Sequence, residues 1–404
     1  MEPKAPGPLA GYRVLELGTT IAGPFCGRLL ADFGADVIKV EPPDGDPVRA
    51  MGKHVGEDSL WAASILRGKK LVALDLKSAE GQEIAREIAK GSDVVVENFR
   101  PGTLEKWGLG YADLERIRPG IIMVRISGFG QDGPYSERPG YGVIGEAVGG
   151  LRHIIGDPDR PPARVAVPLT DYITGLYGAF GAVLAIVHRE KTGEGQLIDA
   201  ALFEAAFSFM EPFVPAFDKL GFVPMRAGPN LPGQVPNSLY LTCDGGYVHI
   251  AATTQALFKR LIGVMGRADL IEDARFATPR ARGRNPDALD PIIAEWTSRH
   301  TAKALEKILI EEADVPASRI FTMADVFADA HYRARGMLAE VADASLGSVR
   351  LAAPVPRMSA TPGAIRWAGG RIGADTREIL REIGGLTDAR IDALAAAGVV
   401  RLAD

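Results

Sequence analysis

Asp171 lies where the sequence pattern changes from a short apolar run, residues 165–169, to apolar residues at helical spacing over residues 173–187. The pattern predicts a helix that begins at or just after Asp171. The unpaired N–H groups and the dipole of a helix N-terminus stabilise negative charge. An ionised carboxylate there is suited to act as a nucleophile. The alternative interpretation is that Asp171 only caps the helix, a frequent role of aspartate.

Three glycines, Gly175, Gly178 and Gly181, form a stripe along the same predicted helix. A glycine inside a helix costs about 1 kcal/mol relative to alanine, so the spacing predicts that another backbone packs very close. The apolar run is rich in glycine and too short for a comfortable membrane span. We therefore expect a buried core helix.

The net charge of the chain and its cysteine and histidine content argue against several classes of function. The net charge of -5 argues against a nucleic-acid partner. The two cysteines, Cys26 and Cys243, form no CxxC pair, and the six histidines show no metal-ligand spacing. Both facts argue against a disulfide framework or a zinc site and fit a reducing compartment. The N-terminal residues lack the apolar core of a signal peptide. We expect a cytoplasmic protein without a membrane partner.

Residues 128–133 spell GFGQDG, which matches the GxGxxG pattern of dinucleotide-binding loops and follows a predicted strand. Pro134 and Tyr135 come next, where that fold requires a helix to open. The context therefore favours a turn-rich loop over a substrate site rather than a dinucleotide site.

Strands and helices alternate along the first half of the chain, which predicts an α/β domain with a mainly parallel sheet. Ligands of such sheets bind beyond the carboxyl ends of the strands, where Glu41, Asn98 and Gly128 fall. A Gly- and Pro-rich segment then leads to a hairpin around Asp244-Gly245-Gly246 and to further helices. We assign residues 1–216 to a large domain, 217–330 to a linker and a smaller α+β domain, and 331–404 to a return segment that completes the large domain.

A long stretch around Asp171, LTDYITGLYGAFGAVLAIVHREKTGEGQLIDAALFEA, resembles the central signature of the class III CoA-transferases, the CaiB–BaiF family. Three further stretches resemble other signatures of this family: ELGTTIAGPFCGRLLADFGADVIKVEPPDGDPVR, ENFRPGTLEKWGL and ISGFGQDGP. The resemblance covers nearly the whole chain.

The resemblance implies a Rossmann-like large domain built from both chain ends, a smaller inserted domain and an interlocked homodimer. It also implies that Asp171 is the nucleophile. The resemblance further implies that no cofactor is bound permanently and that coenzyme A enters as part of the substrate. The residues that the resemblance places along the CoA path are Ala22, Leu74, Asn98, Phe99, Arg100 and Lys106.

Phosphate groups of CoA require arginine, lysine or N–H-rich turns. Among the basic residues, those on the ENFRPG segment and after it are the stronger candidates because of the resemblance, and most of the others are expected to be solvated surface. The full set of candidates is Arg49, Arg67, Lys69, Lys70, Arg100, Lys106 and Arg138.

Three positions, Ile21, Tyr141 and Gly142, bear on which branch of the family the chain resembles. Ile21 stands where formyl-CoA transferase has glutamine, so the acceptor pocket is expected to differ. Tyr141 replaces the histidine that serves as a base in the racemases, and Gly142 replaces an acid frequent in transferases. Proton abstraction next to a thioester needs a base, so Tyr141 favours transfer. The loop from Gly228 to Gly233 is expected to cover the intermediate and to donate N–H groups to its oxyanions.

These residues predict an acyl-CoA:carboxylate CoA-transferase. We expect succinyl-CoA as the donor and a small dicarboxylic acid as the acceptor, with Arg164 or Arg226 pairing with the second carboxylate. Two alternatives stay open. One is an isomerase of 2-methylacyl-CoA, and the other is a non-catalytic CoA-binding protein in which Asp171 is a plain cap.

Overall fold

The computed structural model describes residues 7–403. These residues separate into two compact units. The first comprises residues 7–151, Val165–Phe222 and residues 331–403, and the second comprises Arg152–Arg164 and Val223–Ala330. The second unit thus includes a short segment, Arg152–Arg164, that the sequence pattern did not separate from the large domain.

The first unit contains a seven-stranded sheet and two small two-stranded sheets, and the second contains a three-stranded sheet. The strands are β1 (Arg13–Glu16), β2 (Asp36–Glu41), β3 (His54–Val55), β4 (Asp58–Ser59), β5 (Lys69–Leu74), β6 (Val94–Glu97), β7 (Ile122–Ser127), β8 (Leu197–Ala201), β9 (Asn237–Leu241), β10 (Tyr247–Ala251), β11 (Ala317–Arg319), β12 (Leu338–Asp343), β13 (Gly347–Ala352) and β14 (Val400–Arg401).

Helices cover both faces of the large sheet and build most of the second unit. They are α1 (Ala22–Asp32), α2 (Leu60–Ile65), α3 (Ala79–Lys90), α4 (Thr103–Lys106), α5 (Tyr111–Ile117), α6 (Gly142–Val148), α7 (Leu151–Ile154), α8 (Leu169–Thr192), α9 (Leu202–Phe207), α10 (Phe213–Leu220), α11 (Gln255–Val264), α12 (Asp269–Glu272), α13 (Pro279–Arg284), α14 (Pro286–Thr297), α15 (Ala302–Glu306), α16 (Met323–Ala328), α17 (Ala330–Ala334), α18 (Thr376–Glu382) and α19 (Asp388–Ala396).

The large sheet has the strand order β14-β5-β2-β1-β6-β7-β8. All neighbours pair in parallel except β14, which runs antiparallel to β5. After β1 the chain builds outward through β2 and β5, and it then returns to β6 on the other side. The order therefore reverses between β1 and β6, and in open α/β sheets such a switch point is where ligands bind. The α/β class and mainly parallel sheet predicted from the sequence are confirmed.

Two apolar cores lie on the two faces of this sheet. On one face, side chains such as Leu15 and Ile38 pack with α3, whose buried residues include Ile84 and Ile88. On the other face, Val14 and its neighbours pack with α1 and α8. Alternate residues of β1 thus point into different cores, because successive side chains of a strand point to opposite faces. Both faces of the sheet are therefore covered, as parallel sheets require.

Helix α8 begins two residues earlier than the sequence pattern predicts. Its N-cap is Pro168, and Asp171 is the third helical residue, inside the first turn. Asp171 is therefore not the N-cap, and that interpretation of the carboxylate is wrong. The reason is that the helix already includes Leu169, the last residue of the apolar run, and Thr170. The carboxylate still lies in the turn where the helix dipole favours negative charge.

The glycine face of α8 packs as predicted. A Cβ atom at Gly175 would lie 2.7 Å from the carbonyl oxygen of Ala22 in α1, and one at Gly178 would lie 3.0 Å from Val124 Cγ1. The opposite, apolar face is not buried within the chain, contrary to the expectation of a core helix. Phe180 is 58% exposed. Further apolar residues of this face are also exposed: Leu176, Tyr177, Val183, Leu184 and Val187.

By length and composition, helix α8 is also long and apolar enough to cross a membrane. In the structure, 44% of its apolar 18-residue stretch is buried. Core helices of folded proteins pass the same test. Its glycine face contacts α1 and the sheet, as described above, so its apolar character is in part that of a core helix.

We expect Gly175→Ala to destabilise the protein by about 1–3 kcal/mol, because the added methyl group overpacks the α1–α8 contact. Urea unfolding measures the change. Gly263→Ala in α11 is the matched control, since a Cβ atom at Gly263 meets nothing within 4 Å. A Gly175→Ala protein as stable as the control would contradict the close packing of the two helices.

The second unit contains the predicted hairpin. β9 pairs antiparallel with β10 around residues 242–246, and β11 joins the other side of β10. Its own core includes Phe258, Phe276 and Tyr240. The hydroxyl of Tyr240 donates a hydrogen bond of 2.7 Å to Asp290 Oδ1 in α14, which fastens that helix to the sheet.

Candidate active site

The turn after β1 and the residue after β6 meet at the switch point of the sheet. The side chain of Asn98 accepts a hydrogen bond from the backbone N–H of Thr19 at 2.7 Å and donates one to the carbonyl of Thr19 at 2.8 Å. The amide also packs on Gly18 and Gly23, where any Cβ atom would lie within 3.4 Å of it. Asn98 therefore joins the two strand ends and shapes the turn that leads into α1.

A cavity of about 460 Å³ opens beside this turn, at the carboxyl ends of β1, β2 and β5. Its apolar side includes Leu74, Phe99 and Trp107, with the rings of Phe99 and Trp107 in edge-to-face contact at 5.3 Å. Its polar lining includes Thr19, Lys77 and three acidic residues, Glu41, Asp44 and Asp75. The aromatic wall suits the flat base of a nucleotide, and Lys77 supplies a cation for its phosphates.

The predicted CoA contacts fall into three groups. Leu74 and Phe99 line the cavity, and Phe99 is fixed by its N–H, which donates to Glu97 Oε2 at 2.7 Å. Asn98 lies beneath the cavity as a brace. Arg100 and Lys106 are exposed on the segment that follows, outside the lining of the cavity.

Several candidate phosphate ligands have other roles. Arg67 is fully buried and donates to both carboxylate oxygens of Asp32, and Lys69 is buried 2.7 Å from Glu16 Oε2. The expectation that such residues are surface or phosphate contacts is wrong for these two, since each neutralises a buried acid. Three further candidates also have partners: Arg49 pairs with the buried Glu41, Lys70 pairs with Glu378, and Arg138 stacks on Tyr135.

Sequence reasoning missed several residues of the cavity, among them Thr19, Lys77 and Trp107. Lys77 follows β5 by three residues, at the same sheet edge as Glu41 and Asn98, so its position relative to the strand end was the available signal. Trp107 follows α4 and is brought to the cavity by the fold. No short motif marks it.

The carboxylate of Asp171 packs directly on the first residue of α6. A Cβ atom at Gly142 would lie 1.9 Å from Asp171 Oδ2 and 2.8 Å from its Cγ. No residue other than glycine fits at position 142 with Asp171 in this position. The replacement of an acid by Gly142, noted in the sequence, thus has a structural consequence, because it makes the room that the Asp171 carboxylate occupies.

The neighbouring side chain, Tyr172, anchors the first turn of α8. Trp61 Nε1 donates a hydrogen bond of 3.1 Å to the Tyr172 hydroxyl, and the Tyr172 ring meets Phe25 edge-on at 4.7 Å. Burial raises the pKa of Tyr172 above its usual value. The ring of Phe25 in turn carries the guanidinium of Arg28 at 4.4 Å. These contacts fix the turn that presents Asp171.

The other predicted site residues occupy different surroundings. Ile21 is the N-cap of α1 and is buried in an apolar cluster with Val48 and Ala62, so its side chain packs inward. Ala22 is also buried, and its carbonyl contacts Gly175. Tyr141 is the N-cap of α6 and is 72% exposed. Of Ile21, Ala22 and Tyr141, only Tyr141 therefore has an accessible side chain.

The loop from Gly228 to Gly233 belongs to the second unit. Both glycines have positive φ angles, +61° and +79°. The N–H of Gly228 already donates to the carbonyl of Gly156 at 3.0 Å, and those of Asn230 and Leu231 donate to other carbonyls. These three N–H groups are thus not available to an oxyanion unless the loop rearranges. Arg226 is likewise engaged, since its guanidinium donates to the carbonyls of Asp157 and His153.

Across residues 7–403, the structure places no group of three or more His, Cys, Asp or Glu side chains where they could hold a metal ion. The loop at residues 128–141 continues irregularly to α6 and opens no helix of its own at Pro134, which agrees with the rejection of a dinucleotide motif there.

Comparison with known proteins assigns the chain to a family. The profile of CoA-transferase family III matches residues 9–376. The chain belongs to this family, and the resemblance recognised in the sequence is confirmed.

Two relatives and one solved structure illustrate the similarity. Succinyl-CoA–D-citramalate CoA-transferase of Chloroflexus aurantiacus is 44% identical over 98% of this chain and 99% of its own. The β subunit of succinyl-CoA–L-malate CoA-transferase from the same organism is 41% identical over 97% and 98%. A CaiB/BaiF family protein of Brucella suis has a TM-score of 0.84 and 35% identity, covering 94% of this chain and 100% of its own.

The protein is therefore a CoA-transferase, an enzyme that moves CoA between an acyl-CoA and a carboxylic acid. The first unit offers two candidate features for this chemistry, the cavity at the switch point and the Asp171 carboxylate at the start of α8.

Proposed function

We propose that the protein transfers CoA from succinyl-CoA to a small dicarboxylic acid and that Asp171 is the nucleophile. The observation that carries the proposal is the position of Asp171 in the first turn of α8, against Gly142, in a chain of this family. The helix dipole and the unpaired N–H groups favour the ionised, nucleophilic carboxylate there.

The reaction proceeds through four acyl exchanges. The Asp171 carboxylate attacks the thioester carbonyl of the donor, the C–S bond breaks, and an aspartyl–succinyl anhydride and CoA thiolate result. The thiolate attacks the aspartyl carbonyl, which gives an aspartyl–CoA thioester and releases succinate. The acceptor carboxylate then attacks this thioester, which gives a second anhydride and frees the thiolate again. The thiolate finally attacks the acceptor carbonyl, forming the new acyl-CoA and restoring the Asp171 carboxylate.

The choice of substrates rests on the relatives. Two of them are named for succinyl-CoA as the donor and for citramalate or malate as the acceptor, at 44% and 41% identity over nearly the whole chain. Both acceptors are hydroxylated dicarboxylic acids of four or five carbons. We therefore expect this enzyme to accept an acid of that class.

CoA is expected to place its nucleotide in the cavity lined by Leu74, Phe99 and Trp107. Phe99→Ala then raises KM for the acyl-CoA about 10-fold and changes kcat less, because one stacking surface is worth about 1–3 kcal/mol. Lys77→Gln raises KM and weakens its dependence on salt, because a phosphate loses its cation. Initial rates at several salt concentrations measure both effects, and Lys259→Gln in the second unit is the control. An unchanged KM in both cavity variants would place the nucleotide elsewhere.

We also propose a cytoplasmic homodimer. Support comes from the exposed apolar face of α8, represented by Phe180 and Leu184, and from exposed Phe217 and Leu220 in α10. Exposed apolar patches of this kind mark protein interfaces. Light scattering measures the mass of the particle, and a monomer at micromolar concentration would contradict the dimer.

The substrate proposal is tested by incubating the enzyme with succinyl-CoA and, one at a time, L-malate, D- and L-citramalate, itaconate, mesaconate, glutarate and acetate. Chromatography of the CoA esters measures the products. We expect a new CoA ester with at least one hydroxylated dicarboxylic acid and none with acetate. Transfer only to monocarboxylic acids would overturn the substrate class.

A separate incubation of the enzyme with 2-methylacyl-CoA tests the isomerase alternative. In deuterium oxide, an isomerase exchanges the α-hydrogen of 2-methylacyl-CoA without any acceptor acid, whereas a transferase leaves it in place. Exchange at the α-carbon without CoA transfer would replace the transferase proposal by the isomerase.

A further inference from the structure

The turn from Gly18 to Ile21, between β1 and α1, contains a strained residue. Thr20 has a φ angle of +70°, in the left-handed region. A β-branched residue is rarely found there, and such strain persists only where the surroundings enforce it. Glycine would adopt this conformation without strain.

A buried ion pair enforces the conformation. Asp46 Oδ1 accepts hydrogen bonds of 2.9 Å from the backbone N–H groups of Thr20 and Val48. Its other oxygen lies 3.0 Å from Lys39 Nζ, and both side chains of the pair are fully buried. Lys39 Nζ in turn donates to the carbonyl oxygen of Gly18. The pair therefore holds the turn at two points, because Asp46 binds the N–H of Thr20 and Lys39 binds the carbonyl of Gly18.

A second buried pair extends this network to α1. Lys69 Nζ lies 2.7 Å from Glu16 Oε2 and donates a hydrogen bond of 2.7 Å to the carbonyl of Pro24 in the first turn of α1. Glu16 Oε1 is also 3.8 Å from Lys39 Nζ. The two pairs thus form one cluster of four charges beneath the turn. Burial opposes ionisation of Asp46, but Lys39 and the two N–H donors hold its pKa below the usual value.

The turn lies between the two features that the reaction must align. Thr19 lines the cavity, and Ala22, which follows the turn, packs its carbonyl against Gly175 of α8. Gly175 is one helical turn after Asp171, on the same face of the helix. A shift of the turn would therefore move the cavity wall relative to the nucleophile.

Stability alone gives no reason for this cluster. Buried ion pairs are costly to desolvate, and apolar residues of similar volume often replace them without loss of stability. Together, the strained backbone at Thr20 and the buried charges that hold it indicate that this conformation of the turn serves the function of the protein.

We propose that the Lys39–Asp46 pair is a positioning device, which holds Thr20 in its left-handed conformation so that the thioester of CoA bound in the cavity faces Asp171. The inference rests on the proposed function and adds the residues that set the alignment. Neither side chain touches the substrate, so both are positioning residues.

The test removes the pair and then restores the backbone by another route. Lys39→Met with Asp46→Ala leaves the Glu16–Lys69 pair neutral, and we expect a melting temperature within about 5 °C of the wild type. We expect kcat to fall about 30-fold while KM for succinyl-CoA changes less than about 3-fold, as misalignment predicts. Adding Thr20→Gly restores kcat to within about 3-fold of the wild type, because glycine accepts the conformation unaided. Adding Thr20→Ala, the matched control, does not.

Hydrogen exchange of the peptide that covers residues 18–23 supplies a readout independent of catalysis. The pair variant exchanges faster than the wild type, and glycine at position 20 slows exchange again. If the wild type transfers no CoA at all, the proposed function fails, and the exchange pattern alone decides whether the pair holds the turn.

Two results would overturn the inference: a pair variant with wild-type kcat and exchange, or equal rescue by glycine and alanine. Should the double variant fail to fold, Lys39→Met with Asp46→Val, which fills more of the space and offers no acceptor to Thr20, carries the same comparison of glycine and alanine at position 20.

Discussion

Asp171→Ala is expected to abolish CoA transfer, with kcat lower by at least about 10⁴-fold, because covalent catalysis ends when its nucleophile is removed. Asp171→Asn should be equally inactive, since an amide of nearly the same shape is a poor nucleophile. The folded state should remain stable, and the part of the loss that comes from one negative charge in the first turn of a helix is about 0.3–1 kcal/mol. Initial rates and urea unfolding measure the two quantities.

The matched control is Asp113→Ala, which removes an acidic residue from the first turn of α5. It should lose a similar amount of stability and keep its activity. An Asp171→Ala enzyme with substantial turnover, folded like the control, would contradict the nucleophile assignment.

Gly142→Ala has the second largest expected effect. The new methyl group would lie 1.9 Å from the present position of Asp171 Oδ2, so the carboxylate must move. A displacement of about 1 Å in a reacting group can cost about 100-fold in rate. We expect kcat to fall by that order, with a smaller change in KM for the acyl-CoA, because the cavity at the switch point is not altered. Steady-state kinetics separates the two parameters.

Gly263→Ala serves as the control for the general effect of replacing a helical glycine, since its Cβ atom would be in open space. A Gly142→Ala enzyme with wild-type kcat would mean that the Asp171 carboxylate adopts another position during catalysis.

Alternation of strands and helices in the sequence was sufficient to predict the α/β class, the parallel sheet and the hairpin of the second unit. These features are local, because each depends on periodicity and turn residues within about ten positions. The start of α8 was less predictable. The apolar run of residues 165–169 gave no sign that its last residue, Leu169, begins the helix, so Asp171 lies in the first turn and not at the cap.

Long-range pairing was invisible in the sequence. Arg67 looked like a free cation, yet its partner Asp32 is 35 positions away, and Lys69 finds Glu16 at a distance of 53 positions. No pattern of spacing indicates such pairs. The strain at Thr20 was equally hidden, since a threonine in a turn gives no sign of a positive φ angle.

The two faces of α8 show another limit of prediction from the sequence. The glycine stripe at Gly175 and Gly178 correctly indicated a close neighbour, because glycine inside a helix needs a reason. The apolar residues on the other face indicated burial, and within one chain they are exposed. Hydrophobic spacing tells that a face avoids water, and it does not tell whether the same chain or another chain covers it.

The most direct test of the account is the mass of the intact protein after mixing with succinyl-CoA, with Asp171→Ala treated in parallel. The account predicts a wild-type species heavier by one CoA less one water, the aspartyl–CoA thioester, which hydroxylamine removes. The variant should show no such species. If CoA binds but no acyl-CoA donor leaves an adduct on the wild type, or if the variant carries the same adduct, the covalent role of Asp171 is contradicted.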